Sequence, residues 1–224
     1  MDDVTFYTSG SSGQAKAIVR TERTLCADAE ALARAFPEIW SSRPAVVSTA
    51  PKDHLFGTLW RELVPEVLGL VSDPESVISI EQLAAAHEKY GRFLFATTPS
   101  FLEKALGHPD IAALKGAFVG IVTSGGLLRT ATSRAVMDTL GVCPLEIFGS
   151  TEAGTVAYRR QSEGELWNVF EGVSAMTDAE GRLVVDSPYL DERPFVMSDA
   201  VVFEGPKRFR LLGRTDRRKN GNGG

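Results

Sequence analysis

The sequence predicts an α/β fold, a mostly parallel sheet with flanking helices followed by a β-rich subdomain. Three observations carry this prediction. Up to about residue 150, strand-sized apolar runs alternate with segments of helical spacing, the arrangement that builds a parallel sheet covered by helices. After Thr151 the strand-like runs follow one another with no helix between them. With 224 residues, 43% hydrophobic and 24% charged, the chain has the composition of a globular protein and enough apolar side chains to close a core.

Val4 to Tyr7 is a β-prone run that leads into the polar, glycine-rich stretch Thr8 to Gly13. Thr24 to Phe36 carries Leu25, Leu32 and Phe36 with alanines between them, a helix that Pro37 stops. Ala45 to Thr49 is a strand closed by Pro51, and His54 to Leu68 has helical spacing that Pro65 must kink or end. Ser79-Ile80-Glu81-Gln82 has the form of a capping box that opens a helix to about Tyr90. Strands are expected at Phe93 to Ala96, Phe118 to Val122 and Leu145 to Phe148, and helices at Pro99 to Leu106 and Thr130 to Leu140. The later strand-like runs are Val156 to Arg159, Leu166 to Val169, Leu183 to Val185, Ala200 to Phe203 and Phe209 to Leu212. Residues 1–152 are thus expected to form the α/β layer and 153–216 the β-rich subdomain, with the Asn/Gly-rich tail 217–224 disordered.

Charge and cysteine content narrow the classes. Twenty-four Lys and Arg stand against 29 Asp and Glu, a net charge of −5, which argues against broad nucleic-acid binding. Cys26 and Cys143 are far apart and form neither a metal-type nor a redox-type spacing, so two reduced thiols are the simplest reading. The acidic start MDDVTFYTSG has no signal-peptide layout, and no apolar stretch is long enough for a membrane span. A cytoplasmic protein is the expectation.

Three loops carry chemistry. Thr8, Ser9, Gly10, Ser11, Ser12 and Gly13, followed by Lys16, combine a glycine-permitted turn with hydroxyls, backbone N–H groups and a cation, a setting for an anion. Lys16 lies between Ala15 and Ala17, so this is not a Walker A loop; a flexible surface turn accounts for it equally well. Phe148-Gly149-Ser150-Thr151-Glu152 directly follows a strand, where ligands of open α/β sheets collect. Its hydroxyls and carboxylate suit phosphate oxygens and a hard cation such as Mg²⁺, and a capped helix start is the alternative. Gly213-Arg214-Thr215-Asp216 offers Arg214 to a ribose or phosphate, or forms a solvated charge cluster with Arg217, Arg218 and Lys219.

Taken together, TSGSSGQAKA, FGSTE and GRTD resemble, in order and spacing, the adenylate-forming (AMP-binding) superfamily of acyl- and aryl-CoA synthetases, nonribosomal peptide synthetase adenylation domains and firefly-type luciferases. Pro51 to Gly57 resembles the family's Pro…His…Gly segment beside the acyl pocket, Ser124-Gly125-Gly126 its glycine-rich loop near the base, and Ser198-Asp199 its ribose-binding region. The resemblance runs from Val4 to about Lys219. It implies the core of the large domain of an adenylate-forming enzyme, an acid–thiol ligase that joins a carboxylic acid and ATP into an acyl-adenylate and pyrophosphate, then passes the acyl group to coenzyme A or a carrier-protein thiol.

By the same resemblance, Thr8 to Gly13 wrap the outer phosphates and Lys16 adds charge. Phe148 lies against the adenine beside Gly125, Gly126, Gly149 and Ser150. Thr151 contacts the α-phosphate, Glu152 helps to hold Mg²⁺, Asp199 and Arg214 grip the ribose, and Asp216 is the hinge. His54 gates the acyl tunnel, with a packed or capping histidine as the alternative; Trp60 and Phe56 either line that pocket or belong to the core. His87 and His108, without motif context, are expected at the surface.

Departures from the family pattern are Ala15 and Ala17, where Pro and Gly usually flank the lysine. The family's N-terminal subdomain and C-terminal lid domain find no counterpart in the sequence, so catalytic incompleteness is expected. Two alternatives follow from this: a non-catalytic AMP/ATP-binding module, or a subunit completed by a second copy or another chain.

Overall fold

Apolar runs become strands here because helices cover both sheet faces. The structure, a computed structural model, describes residues 3–9 and 15–215, with the backbone alone at Ser9 and Ala15. Gly10, Ser11, Ser12 and Gly13, together with Asp216 and the tail 217–224, were singled out above and lie outside the described residues.

The chain opens with a two-stranded antiparallel hairpin, β1 (Val4–Ser9) and β2 (Ala15–Arg20). Helix α1 (Glu22–Ala35) begins two residues before its expected start, because the Thr21 side chain accepts from the Thr24 amide and caps it. Pro37 does more than stop this helix: it opens the short α2 (Pro37–Trp40), at whose first turn its missing N–H costs nothing.

Strand β3 (Ala45–Ser48) is buried throughout. The following helical segment runs as α3 (Leu55–Gly57), a π-helical stretch Thr58–Leu63 and α4 (Val64–Leu68). Pro65 does not end it. The π turn bonds Val64 N–H to Leu59 O, and the α-helix restarts with Pro65 in its first turn, where no donor is required. Gly69 then ends α4 in the left-handed region, at φ 61°.

Next come β4 (Ser72–Ser76), α5 (Ile80–Tyr90), β5 (Phe93–Thr97), α6 (Pro99–Leu106), β6 (Phe118–Thr123), α7 (Thr130–Leu140) and β7 (Leu145–Ser150). Ser79 caps α5 by accepting from Gln82 N–H; Gln82 reaches back to Ile78 N–H, one residue beyond the box expected from the sequence. The remaining strands are β8 (Gly154–Arg160), β9 (Trp167–Val169), β10 (Ser174–Thr177), β11 (Arg182–Asp186), β12 (Phe195–Phe203) and β13 (Arg208–Arg214).

Apart from the hairpin, all described strands join one eleven-stranded sheet, ordered β10-β11-β12-β13-β9-β8-β7-β6-β5-β3-β4. Pairing is parallel from β4 to β7 and antiparallel from β7 to β10. The parallel strands are buried on alternate faces. Val46, Leu94 and Ala96 join one core with α1, Trp40 and Trp60, whereas Val47, Phe93 and Phe95 join another under α5, α6 and α7. Among the described residues no helix is long and apolar enough to cross a membrane.

Candidate functional site

The reversal from parallel to antiparallel pairing falls on the segment Phe148 to Glu152. Strand β7 runs on to Ser150, turns through Thr151, Glu152 and Ala153, and returns as β8. Ser150 Oγ accepts from the Ala153 amide at 3.0 Å, so the hydroxyl closes a hairpin turn where a capped helix start was the alternative. A Cβ on Gly149 would stand 2.0 Å from Gly154 O, so the two strands meet here on bare backbone.

That turn forms one wall of a cleft of about 540 Å³. Thr8 and Lys16 of the hairpin line it, with Ser150, Thr151 and Glu152 opposite, and Asp199, Arg214 and Thr215 come from β12 and the end of β13. Asp199 and Arg214 are cross-strand partners, and Arg214 Nη2 donates to Ser198 Oγ at 2.9 Å. Lys16 Nζ lies 3.3 Å from Glu152 Oε1, spanning the cleft between the hairpin and the turn. Segments more than 130 positions apart in sequence therefore converge on one opening.

Ser150 and Thr151 also line a second cavity of about 210 Å³. Its other walls are His54, Phe56, Leu59, Trp60, Ile147 and Thr155, and Gly125 lies at its edge. Trp60 is fully buried and belongs to the core cluster while also forming part of this wall. His54 is exposed and stands just before α3, where its side chain makes no capping hydrogen bond; the capping alternative is not what the structure has. A larger cavity of about 740 Å³ shares His54, Phe56, Ser124 and Gly125. His108, expected at the surface, is partly buried on its wall, 3.5 Å from Glu81.

Two expected residues stand apart from these spaces. Phe148 is half-buried and packs against Trp167 and Phe209, at ring-centroid distances of 5.4 and 5.8 Å. Gly126 lies beside Pro99, whose Cγ would be 3.8 Å from an added Cβ. His87 is half-buried, its Nδ1 2.9 Å from Gly91 O at the end of α5.

Sequence reasoning missed the groups behind the turn. Arg20, 2% exposed, donates from Nη1 to Thr151 O at 3.0 Å and from Nη2 to Tyr189 O at 3.2 Å. Asp28, fully buried, lies 3.6 Å from Arg20 Nη2 and accepts the Thr155 amide on its carboxylate at 3.2–3.3 Å. Burial pushes the Asp28 carboxyl above its ordinary value, opposed by the Arg20 charge and the Thr155 amide. A signal was present: Asp28 falls between Leu25 and Leu32 on the apolar stripe of α1, where a carboxylate calls for a buried partner. Arg182 on β11 also lines the cleft and was not foreseen, its guanidinium held by Asp178 and Glu180.

Comparison with known proteins places the chain among relatives. The model of the family described as AMP-binding enzyme matches residues 3–187. A 4-coumarate–CoA ligase of Cereibacter sphaeroides is 26% identical over 212 residues, 95% of this chain and 48% of that protein. Among solved structures, the ATP-bound MatB of Rhodopseudomonas palustris superposes with a TM-score of 0.78 at 19% identity, covering 94% of this chain and 47% of that one. A malonyl-CoA ligase in a ternary product complex with methylmalonyl-CoA and AMP gives 0.78 at 21% identity, covering 94% and 52%. The chain spans about half the length of the relatives it matches.

Proposed function

Because the chain belongs to the AMP-binding enzyme family, we propose that its cleft binds ATP, and that the protein activates a carboxylic acid as the acyl-adenylate, with release of pyrophosphate, for transfer to a thiol of coenzyme A or a carrier protein. One observation carries this reading: Lys16, Thr151, Glu152, Asp199 and Arg214 converge on a single cleft that shares Ser150 and Thr151 with a cavity walled in part by Phe56, Leu59, Trp60 and Ile147. An acid held in that cavity, with its carboxylate at Thr151, is next to the cleft that would hold the α-phosphate.

Attack of a carboxylate on the α-phosphorus brings anions together, so the protein's part is positioning and neutralisation. Lys16 supplies a cation for the outer phosphates, together with the loop between β1 and β2. Thr151 offers a hydroxyl at the α-phosphate, and Asp199 with Arg214 binds the ribose. Glu152 is the residue to hold Mg²⁺. Among the described residues no group of three or more acidic, His or Cys side chains could hold a metal. A lone carboxylate nevertheless fits Mg²⁺, which takes the rest of its shell from substrate phosphates and water. When bound, the ion neutralises phosphate charge. The Lys16–Glu152 pair must open for both residues to take these roles.

Calorimetric titration with AMP and with ATP plus Mg²⁺, followed by ATP–pyrophosphate exchange over a panel of acids, tests the proposal. Binding of both nucleotides with acid-dependent exchange is expected. Binding without exchange would leave a nucleotide-binding module, and no binding of either nucleotide would sink the reading.

A further inference from the structure

We infer that Arg20 and Asp28 are positioning residues for the Thr151–Glu152 turn: the buried pair sets where these two side chains stand in the cleft. The inference concerns the placement of groups to which the proposed function gives roles, and in that respect it rests on that reading.

The pair grips the turn at both ends. Arg20 Nη1 holds the Thr151 carbonyl at 3.0 Å, where the turn begins, and Asp28 takes the Thr155 amide, where β8 is already under way. Glu152, Ala153 and Gly154 lie between these anchors. The fit is close: a Cβ on Gly154, which has φ +70°, would stand 2.6 Å from Asp28 Oδ2. Arg20 Nη2 also fastens the Ser187–Leu190 loop through Tyr189 O, so one guanidinium links the hairpin, the turn and the segment leading to β12.

Fold stability alone is a poor reason for such a pair. Burying two charges carries a desolvation penalty for each ion, and apolar residues of similar volume are often as stable or more so. Apolar residues, however, cannot donate to Thr151 O or accept from Thr155 N. The position of α1 could be held by the Leu25, Ala29 and Leu32 contacts, which are already buried. What the charges add is directional hold on a turn that carries a hydroxyl and a carboxylate into the cleft.

The test is the double variant R20M/D28L in the full chain, beside R20K, which keeps the cation and loses the forked donor. Three quantities are read: thermal midpoint, hydrogen exchange of residues 151–155, and calorimetric affinity for AMP and for ATP with Mg²⁺. R20M/D28L is expected to exchange faster through 151–155 than the parent, by more than any change in its thermal midpoint accounts for. Its affinity for ATP with Mg²⁺ should fall about tenfold, the scale of one lost charge-assisted hydrogen bond, while AMP affinity falls less. R20K should show the same pattern and decides the matter if the double variant does not fold. Unchanged protection of 151–155 with unchanged ATP affinity in a folded variant would overturn the inference. So would an equal loss for both nucleotides together with a lowered midpoint. If the parent binds neither nucleotide, the proposed function fails, and the exchange of 151–155 still judges the clamp.

Discussion

Replacing Lys16 by Ala separates the nucleotides most sharply. In the structure Lys16 Nζ meets Glu152 Oε1 at 3.3 Å, with the lysine side chain 61% exposed. An ion pair that wet is worth about 0–1 kcal/mol, so little holds the lysine back from a better partner. A hydrogen bond from Lys16 to a phosphate oxygen is worth about 1.5–3 kcal/mol. Subtracting the pair given up leaves roughly 1–2 kcal/mol, or about tenfold in affinity. This gain is available only to a ligand with outer phosphates. Calorimetry should therefore show Lys16→Ala weakening ATP about tenfold and AMP by less than about twofold. Raising the salt should narrow the difference between variant and parent. Equal loss for AMP and ATP, or none for either, would refute the reasoning.

The other predictions concern four separate features. Asp199→Ala should weaken AMP and ATP alike, because both carry the ribose; an unaltered AMP affinity in titration would remove Asp199 from that role. Gly149→Ala should cost more than about 3 kcal/mol in urea unfolding, because its Cβ would stand 2.0 Å from Gly154 O and the obstacle is backbone; a loss under 1 kcal/mol would mean the hairpin yields. For Asp28 the folded pKa lies above the ordinary 3.8, so the folded state binds more protons in that window and stability declines as pH climbs through it. Relative to Asp28→Asn, the parent should lose stability as pH rises above about 4, and parallel pH profiles in unfolding experiments would contradict this. Finally, no Lys, Arg, Asp or Glu lines the 210 Å³ cavity, and Arg61 nearby is bonded to Ala50 O and Pro74 O. A dicarboxylate's second charge would find only His54 as a cationic partner there. A benzoate-like acid should exceed malonate by about 100-fold in ATP–pyrophosphate exchange, or in binding of the matching acyl-adenylate analogues; parity would count against the cavity as the acid's place.

What the sequence disclosed follows burial. Strands β3, β5, β6 and β7 were legible because two covered faces demand continuous apolar runs. Within the large sheet, the two strands left unread, β4 (SDPES) and β10 (SAMT), are its two edges, where a polar run and Pro74 are tolerated and no apolar signal is needed; β2 of the hairpin was left unread as well. The π turn before Pro65 was invisible because hydrogen-bond register leaves no mark in composition. Of the residues that the motifs single out, Thr8, Lys16, Ser150, Thr151, Glu152, Asp199 and Arg214 line one cleft. The motifs did not give side-chain direction, and Phe148 packs against Trp167 and Phe209. Arg20 and Asp28 escaped because what they hold lies 131 and 127 positions away.

The run of parallel strands has a further effect. Because β3, β5, β6 and β7 point the same way, the residues just after them, Thr49 to Pro51, Thr98, Ser124 and Ser150 to Thr151, gather on one rim and supply walls to all three cavities. Val46, Val47, Phe93, Phe95, Phe118 and Val122, all buried, sit within the strands themselves. Lining and scaffold are thereby separated along each strand, so under the proposed function a lineage could retune the acid accepted by exchanging rim residues while the interior stays as it is.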